Sequence, residues 1–295
     1  MIACLAAGSV SGQAQECVSR GEHPMPALSE ATRMVFERRL DSARRDLEAR
    51  PGDANAMIWV GRRLAYLGRY HEAIHAYTEG ARRHPRDARF LRHRGHRWIT
   101  LRCLDSAVSD LTRAARMVEG TQDAIEPDGL PNERNIPTST LQTNIWYHLG
   151  LALYLQGRYG EALKAYRRCL RLSDNNDMLV ATANWYHLTL LKLQRLRAAS
   201  RFRGRIDPTM PLIENTDYLS ILNLYIRNMS VEEALKTLQD KGDLSLASYG
   251  YGLGEYLMFK GNREAAGKVF STIVSGTANW GSFGFMAADR ALQAF

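Results

Sequence analysis

The sequence predicts an all-α fold, a solenoid of about six antiparallel helix pairs that covers roughly residues 28 to 295. Three observations predict it. Gly61 recurs as Gly95, Ala73 as Ala107 and Pro51 as Pro85, each 34 residues further on, and a period of about 20 to 50 residues marks stacked repeats. Within a period, apolar residues keep helical spacing over two successive stretches with a turn residue between them. The best-formed unit is Asn144 to Tyr166: small Gly150 and Ala162 let its two helices approach closely, and Gly157 tolerates the positive φ of a tight turn.

Taken in order, residues 1–15 read as a leader, because Met1 to Val10 are small and apolar and Gly12-Gln-Ala14 suits the end of a secretory signal, although no basic residues precede them. Residues 16–53 hold a loop with Pro24 and Pro26, then a capping helix from Leu28 to about Arg50. Ala31, Met34, Val35, Leu40, Ala43 and Leu47 give that helix its periodicity. The first two repeats occupy 54–121, with Asp53 and Asp87 as N-caps. The second carries Arg102 where the first has the turn residue Gly68. Gly150 follows Gly95 by 55 residues, 21 more than one period. The surplus is the segment Gly120 to Thr140, an acidic inserted loop whose body is 122–140, broken by Pro127, Pro131 and Pro137; a loop this long is functional or disordered. Ser139 with Gln142 predicts the capping box that restarts the helix. Repeats three and four fill 141–207, where Trp185-Tyr-His-Leu188 repeats Trp146-Tyr-His-Leu149. Residues 208–295 hold the fifth and sixth repeats, with a capping box at Ser230 and Glu233. A last helix from about Ser282 to Leu292 covers the apolar face of Leu253, Leu257 and Phe270, since an end repeat has no neighbour to do so.

Trp146, Leu149, Gly150, Leu153, Gly157, Tyr159, Ala162 and Tyr166 stand at the offsets of the 34-residue tetratricopeptide repeat, and the chain resembles that family, as a bacterial and exported member. The resemblance implies a right-handed superhelix whose first helices line a concave groove. It implies a non-enzymatic scaffold or adaptor that presents this groove to a protein or peptide, with no cofactor, no metal and no catalytic residue. The repeat positions that face ligand in the family fall on Asn55, Ile58, Arg62 and Tyr66, on Arg89, Arg92, His96 and Thr100, and on Asn144, Tyr147, Leu151 and Tyr154. From these, Asn55, Arg62, Tyr66, Arg89, Arg92, His96, Asn144, Tyr147 and Tyr154 form the candidate partner-binding set, a basic groove lined with tyrosines. Guanidinium forks bind oxyanions bidentately, so the expected partner is acidic. The Lys and Asn arrangement of the family's carboxylate clamp is not reproduced here.

Net charge bears the same way. Lys and Arg exceed Asp and Glu by 8, and charged residues make up 24% of the chain against 45% hydrophobic, a folded and mildly basic protein. Pairs such as Arg44-Arg45, Arg62-Arg63, Arg82-Arg83 and Arg167-Arg168 fall at helix positions and read as solvated faces. No aromatic-plus-basic motif accompanies them, so nucleic-acid binding is not expected. No run after the leader approaches the ~18 apolar residues of a membrane span. With the leader removed the protein is therefore expected in the periplasm or secreted, the alternative being a cytoplasmic protein with a tail. Cys4, Cys17, Cys103 and Cys169 show no CxxC and no metal-ligand spacing, and read as buried thiols.

Other chemistry is weaker. His71-Glu72-Ala-Ile-His75 matches the zinc-protease pattern, but Glu72-Ala73 is the ordinary start of a second helix in this register and no third ligand follows. His93, His96, His148 and His187 supply an alternative reading, a metal-binding or hydrolytic protein. A self-assembling structural protein is another alternative. Asp123, Glu126 and Asp128 follow a repeat whose groove holds Arg89, Arg92 and His96, so the inserted loop either lies across the groove as an internal pseudo-ligand or hangs as a flexible tether.

Overall fold

The computed structural model describes residues 23–239 and 243–295; the leader expected over 1–15 lies outside them. Among the described residues fourteen helices follow one another: α1 (Glu30–Ala49), α2 (Ala54–Tyr66), α3 (Tyr70–Arg83), α4 (Ala88–Thr100), α5 (Leu104–Met117), α6 (Leu141–Leu155), α7 (Tyr159–Leu172), α8 (Asn176–Lys192), α9 (Leu196–Arg203), α10 (Thr216–Ile226), α11 (Val231–Gln239), α12 (Asp243–Phe259), α13 (Arg263–Val274) and α14 (Phe283–Leu292). Helices α2/α3, α4/α5, α6/α7, α8/α9 and α12/α13 pack as successive pairs, α10 and α11 both pack on α12, and α1 and α14 stand at the two ends. The fold is the all-α solenoid that the period predicts.

Local chemistry sets the helix ends. The Asp53 carboxylate accepts the Ala56 N–H at 3.0 Å and Asp87 accepts the Arg89 N–H at 3.0 Å, both as N-caps. Ser230 and Glu233 exchange hydrogen bonds as a capping box, at 3.0 and 3.1 Å. The box before α6 is displaced by one residue: Thr140, not Ser139, is the cap, and Thr143 answers it in place of Gln142. Ser139 has a different use, because its hydroxyl accepts from Asn144.

The turn inside each pair needs one left-handed residue. Gly68, Gly157 and Gly261 fill it with φ of 79°, 76° and 80°, while Arg102, Gln194 and Asn228 fill it with 62°, 55° and 50°. A side chain there costs about 1 kcal/mol against the Cβ–carbonyl clash. Behind the turns the helices touch closely. A Cβ on Gly150 would stand 2.4 Å from the Tyr166 ring, so the glycine sets the spacing of α6 and α7.

The array curls until its own inner face is covered. Helix α6 is buried around almost its whole circumference, from Gln142 to Leu155 with Trp146 half-buried, and α8 is buried nearly as fully. A helix apolar all round must be enclosed on every side, and here α10 and α12 supply the cover. The Tyr147 hydroxyl donates to that of Tyr218 at 3.3 Å, Tyr154 and Tyr251 share a hydrogen bond at 2.6 Å, and Lys192 of α8 pairs with buried Glu255 of α12 at 2.6 Å. Helix α14 packs on α12 and α13 as expected, so closely that a Cβ on Gly284 would lie 1.9 Å from the Ala247 carbonyl oxygen. It also touches α6, and Trp280 just before it reaches the core of the first repeat.

The two cysteines among the described residues differ. Cys169 is a free thiol, fully buried, and burial pushes it up to about 12. Cys103 is not a free thiol but is disulfide-bonded, which corrects the expectation from spacing; pairing depends on Cα distances that a sequence does not display.

Candidate functional site

The candidate groove runs along α2, α4 and α6, and the inserted loop lies in it. Arg92 projects from α4 and is 8% exposed. Its Nη2 donates to Glu126 Oε1 at 2.9 Å, and His93 Nε2 stands 3.6 Å from the same oxygen. From α6, Asn144 Nδ2 donates to Glu126 Oε2 at 3.2 Å and to Ser139 Oγ at 2.9 Å. Both carboxylate oxygens of Glu126, itself 8% exposed, are thus engaged by groove residues.

The loop backbone holds this pose. Glu126 N–H donates to Ser139 O at 3.1 Å and Leu141 N–H to Ala124 O at 2.9 Å, either side of an antiparallel bridge between Ile125 and Thr140. Asp123 accepts the Gln142 N–H at 3.0 Å and the Thr140 hydroxyl at 2.6 Å, anchoring the strand to the start of α6, where the positive end of the helix dipole favours an anion. From α2, Arg62 Nη1 donates to Pro127 O at 2.7 Å and Arg63 Nη1 to Gly129 O at 3.0 Å. Gly129 sits so near Tyr66 that a Cβ would lie 1.6 Å from its hydroxyl. Further on, Thr138 and Asn132 donate to Glu214 at 2.5 and 3.5 Å.

The rest of the candidate set divides by neighbour. Arg89 grips Asp87 and reaches Asn55 Oδ1 at 2.5 Å, at the exposed lip. His96, one turn beyond Arg92, has its ring 4.3 Å from that of His148 and 5.5 Å from that of Phe283. Phe283, from the C-terminal segment, also stands 5.6 Å from His148 and 6.4 Å from Tyr147. Tyr154 is 3% exposed beneath α12, away from the loop. Ile58, Thr100 and Leu151 are buried. The structure therefore brings Arg62, Tyr66, Arg92, Asn144 and His96 to one cleft, with Asn55 and Arg89 at its rim and Tyr147 at its inner wall.

Burial lowers the pKa of Arg92 and Arg97 and holds His93, His96 and His148 well below the usual histidine range, with the neighbouring guanidinium groups adding to the effect. His96 and Arg97 are half-buried. The histidines are neutral at pH 7, so positive charge in the cleft belongs to Arg62, Arg92 and Arg97. Against them stand Glu126 and Asp128; burial raises the Asp128 pKa, and its Oδ2 has no partner. In this structure the carboxylate at Arg92 is that of Glu126, and the group beside the two histidines is the Phe283 ring.

The remaining histidines do not assemble. His187 packs against the Tyr225 ring at 4.5 Å. Glu72 of the zinc-protease-like stretch is held by Arg69 at 2.6 Å through both oxygens, and His75 is exposed. Among the described residues no three His, Cys, Asp or Glu side chains gather as a metal ion requires. Phe283 and Trp280 escaped the sequence reading, because no period relates the C-terminal segment to the groove; the missing polar face of α6 was the available signal.

Comparison with known proteins agrees with the repeat pattern. Residues 60–120 and 143–176 match models described as tetratricopeptide repeat. No curated protein matches. Among solved structures, that of YrrB, described as a TPR protein with an unusual peptide-binding site, is similar at 15% identity and a TM-score of 0.45, over 86% of this chain and 99% of that one. Naa15/Naa10 bound to HypK-THB gives 14% and 0.39, over 86% of this chain and 36% of that one. The P58(IPK) TPR domain gives 12% and 0.24, over 86% and 93%.

Proposed function

The chain is a tetratricopeptide-repeat protein, and from that premise we propose that it is a non-enzymatic scaffold whose cleft holds an acidic segment of a peptide or protein partner. Repeats of this kind serve protein–protein interaction; the cleft and the acidic partner are our reading. The observation that carries it is the seating of Glu126, whose two oxygens are taken by Arg92 and Asn144. A partner carboxylate in that seat receives the same bonds, while Arg62 and Tyr66 line its backbone path and Asn55 and Arg89 meet it at the rim. The loop is then an internal competitor, present at the millimolar order of effective concentration typical of a short tether.

We further propose that the protein works in the periplasm or as a secreted protein. The apolar residues Met1 to Val10 support this, as does the disulfide at Cys103, a bond that oxidising compartments maintain. Among the described residues no helix is long and apolar enough to cross a membrane.

The test uses the full chain with residues 125–135 replaced by a Gly-Ser linker, which leaves Asp123 on α6. A fluorescein-labelled synthetic peptide of residues 121–135 is the probe. We expect it to bind the replaced chain at least tenfold more tightly than the intact one, to be lost with Arg92→Glu and to be retained with Arg168→Glu on α7. Equal affinity for intact and replaced chains, or equal losses from the two arginine changes, overturns the reading.

A further inference from the structure

Two stretches far apart in sequence converge on the same cleft between α4 and α6. The inserted loop places the Glu126 carboxylate between Arg92 and Asn144. The C-terminal segment places the Phe283 ring beside His96 and His148. The two pairs are in register: His96 lies four residues after Arg92 on α4, and His148 lies four residues after Asn144 on α6. Residues four apart share one face of a helix, about one turn or 5.4 Å along the axis. The cleft thus holds an anionic seat and an aromatic seat one helical turn apart, walled by the same two helices. The imidazole rings meet each other at 4.3 Å, and Nδ1 of His148 is bound to the Asn144 carbonyl at 2.6 Å, so the aromatic seat is rigid as well as uncharged.

We infer that the partner is an extended peptide segment presenting a carboxylate and an aromatic ring two residues apart, which takes both seats from Glu126 and Phe283 at once. This rests on the acidic-partner reading above and adds the second determinant. Spacing decides the motif. An extended chain advances about 3.3 Å per residue and returns to the same side every second residue, so two residues cover roughly 6.6 Å and place both side chains toward the cleft. Aromatic contact with the imidazoles supplies apolar burial in the place that the Phe283 ring now takes. Neither internal segment supplies both groups, so a single external segment gains a linkage that the two internal ones lack.

The experiment uses the full chain carrying Glu126→Gln and Phe283→Ala, which removes the internal negative charge and the internal ring and leaves the loop attached. Four fluorescein-labelled Gly-Ser octapeptides are the probes: Glu-Gly-Phe, Phe-Gly-Glu, Glu alone and Phe alone in the same frame. We expect one of the two-feature peptides to bind at least tenfold more tightly than either single-feature peptide, and to lose that advantage when Arg92→Glu is added. If the Glu peptide binds as tightly as the two-feature peptides while still depending on Arg92, the acidic cleft stands and the aromatic seat is refuted. If no peptide binds, or binding ignores Arg92→Glu, the cleft reading falls together with the inference. Far-UV circular dichroism accompanies each protein. Should the double variant lose helix, Glu126→Gln with Phe283→Leu keeps a packed side chain at α14 and is put through the same comparison.

Discussion

The guanidinium of Arg102 lies 3.7 Å above the centre of the Trp280 ring, joining the turn of the second helix pair to the segment that leads into the last helix. Its Nη2 also donates to the Trp280 carbonyl at 2.6 Å, its Nη1 donates to the Thr100 carbonyl, and burial lowers its pKa to about 10, which leaves it charged at neutral pH. The same residue stands at φ 62°, in the place three other pairs give to glycine. An arginine kept in a left-handed turn, despite the backbone cost, is explained by what its side chain holds.

That arrangement predicts opposite signs for backbone and side chain. Arg102→Gly and Arg102→Ala both remove the contact with Trp280, but only alanine keeps a Cβ at positive φ. The glycine variant should therefore be the more stable by about 1 kcal/mol in urea unfolding. Trp280→Ala should cost roughly 2 kcal/mol in the wild-type chain and clearly less on the Arg102→Gly background, because part of the loss is the shared cation–π contact. Equal stability of the glycine and alanine variants would show that residue 102 is not left-handed in solution.

His187 predicts a share of the acid sensitivity. It is fully buried, neither ring nitrogen has a partner, and burial holds its pKa at about 3 against an ordinary 6.5. The unfolded chain takes up a proton below pH 6.5 that the folded chain refuses. The contribution to stability is therefore intact above 6.5 and is lost progressively as pH falls toward 3. The slope from one such group is about 1.4 kcal/mol per pH unit. His187→Leu removes this group without removing a hydrogen bond, so unfolding free energies between pH 6 and pH 4 should fall less steeply by about that amount. Identical slopes for the two proteins would mean that His187 is solvated or already protonated in the folded chain.

Repeat architecture was readable because it is local. The 34-residue period, Asp53 and Asp87 as caps, and the glycine turns all express chemistry within one repeat, and each takes its predicted place. What escaped was the closure of the array on itself. Tyr147 and Tyr154 read as groove tyrosines from their repeat positions, yet their hydroxyls meet Tyr218 and Tyr251 from helices two and three pairs on. That contact depends on the summed rotation from repeat to repeat, which no single repeat encodes. The apolar circumference of α6 did carry a trace of it, as a helix without a polar face has no side to offer water. The loop divides in the same way: its acidic residues and its place after the arginine-bearing repeat were legible, whereas the short pairing of Ile125 with Thr140 that aims Glu126 at Arg92 was not.

The central claim is that the chain fills its own cleft through Glu126, and amide hydrogen exchange at Glu126 tests it most directly. This N–H donates to the Ser139 carbonyl in the pose that seats the Glu126 carboxylate at Arg92. Local opening reports its own free energy, about 1.4 kcal/mol for each tenfold slowing of exchange. We predict exchange at least tenfold slower than in an unstructured peptide, returning toward the free rate in Arg92→Met while the amides of α12 keep their protection. Exchange at the free rate in the intact chain, or protection that Arg92→Met leaves unchanged, would contradict the claim.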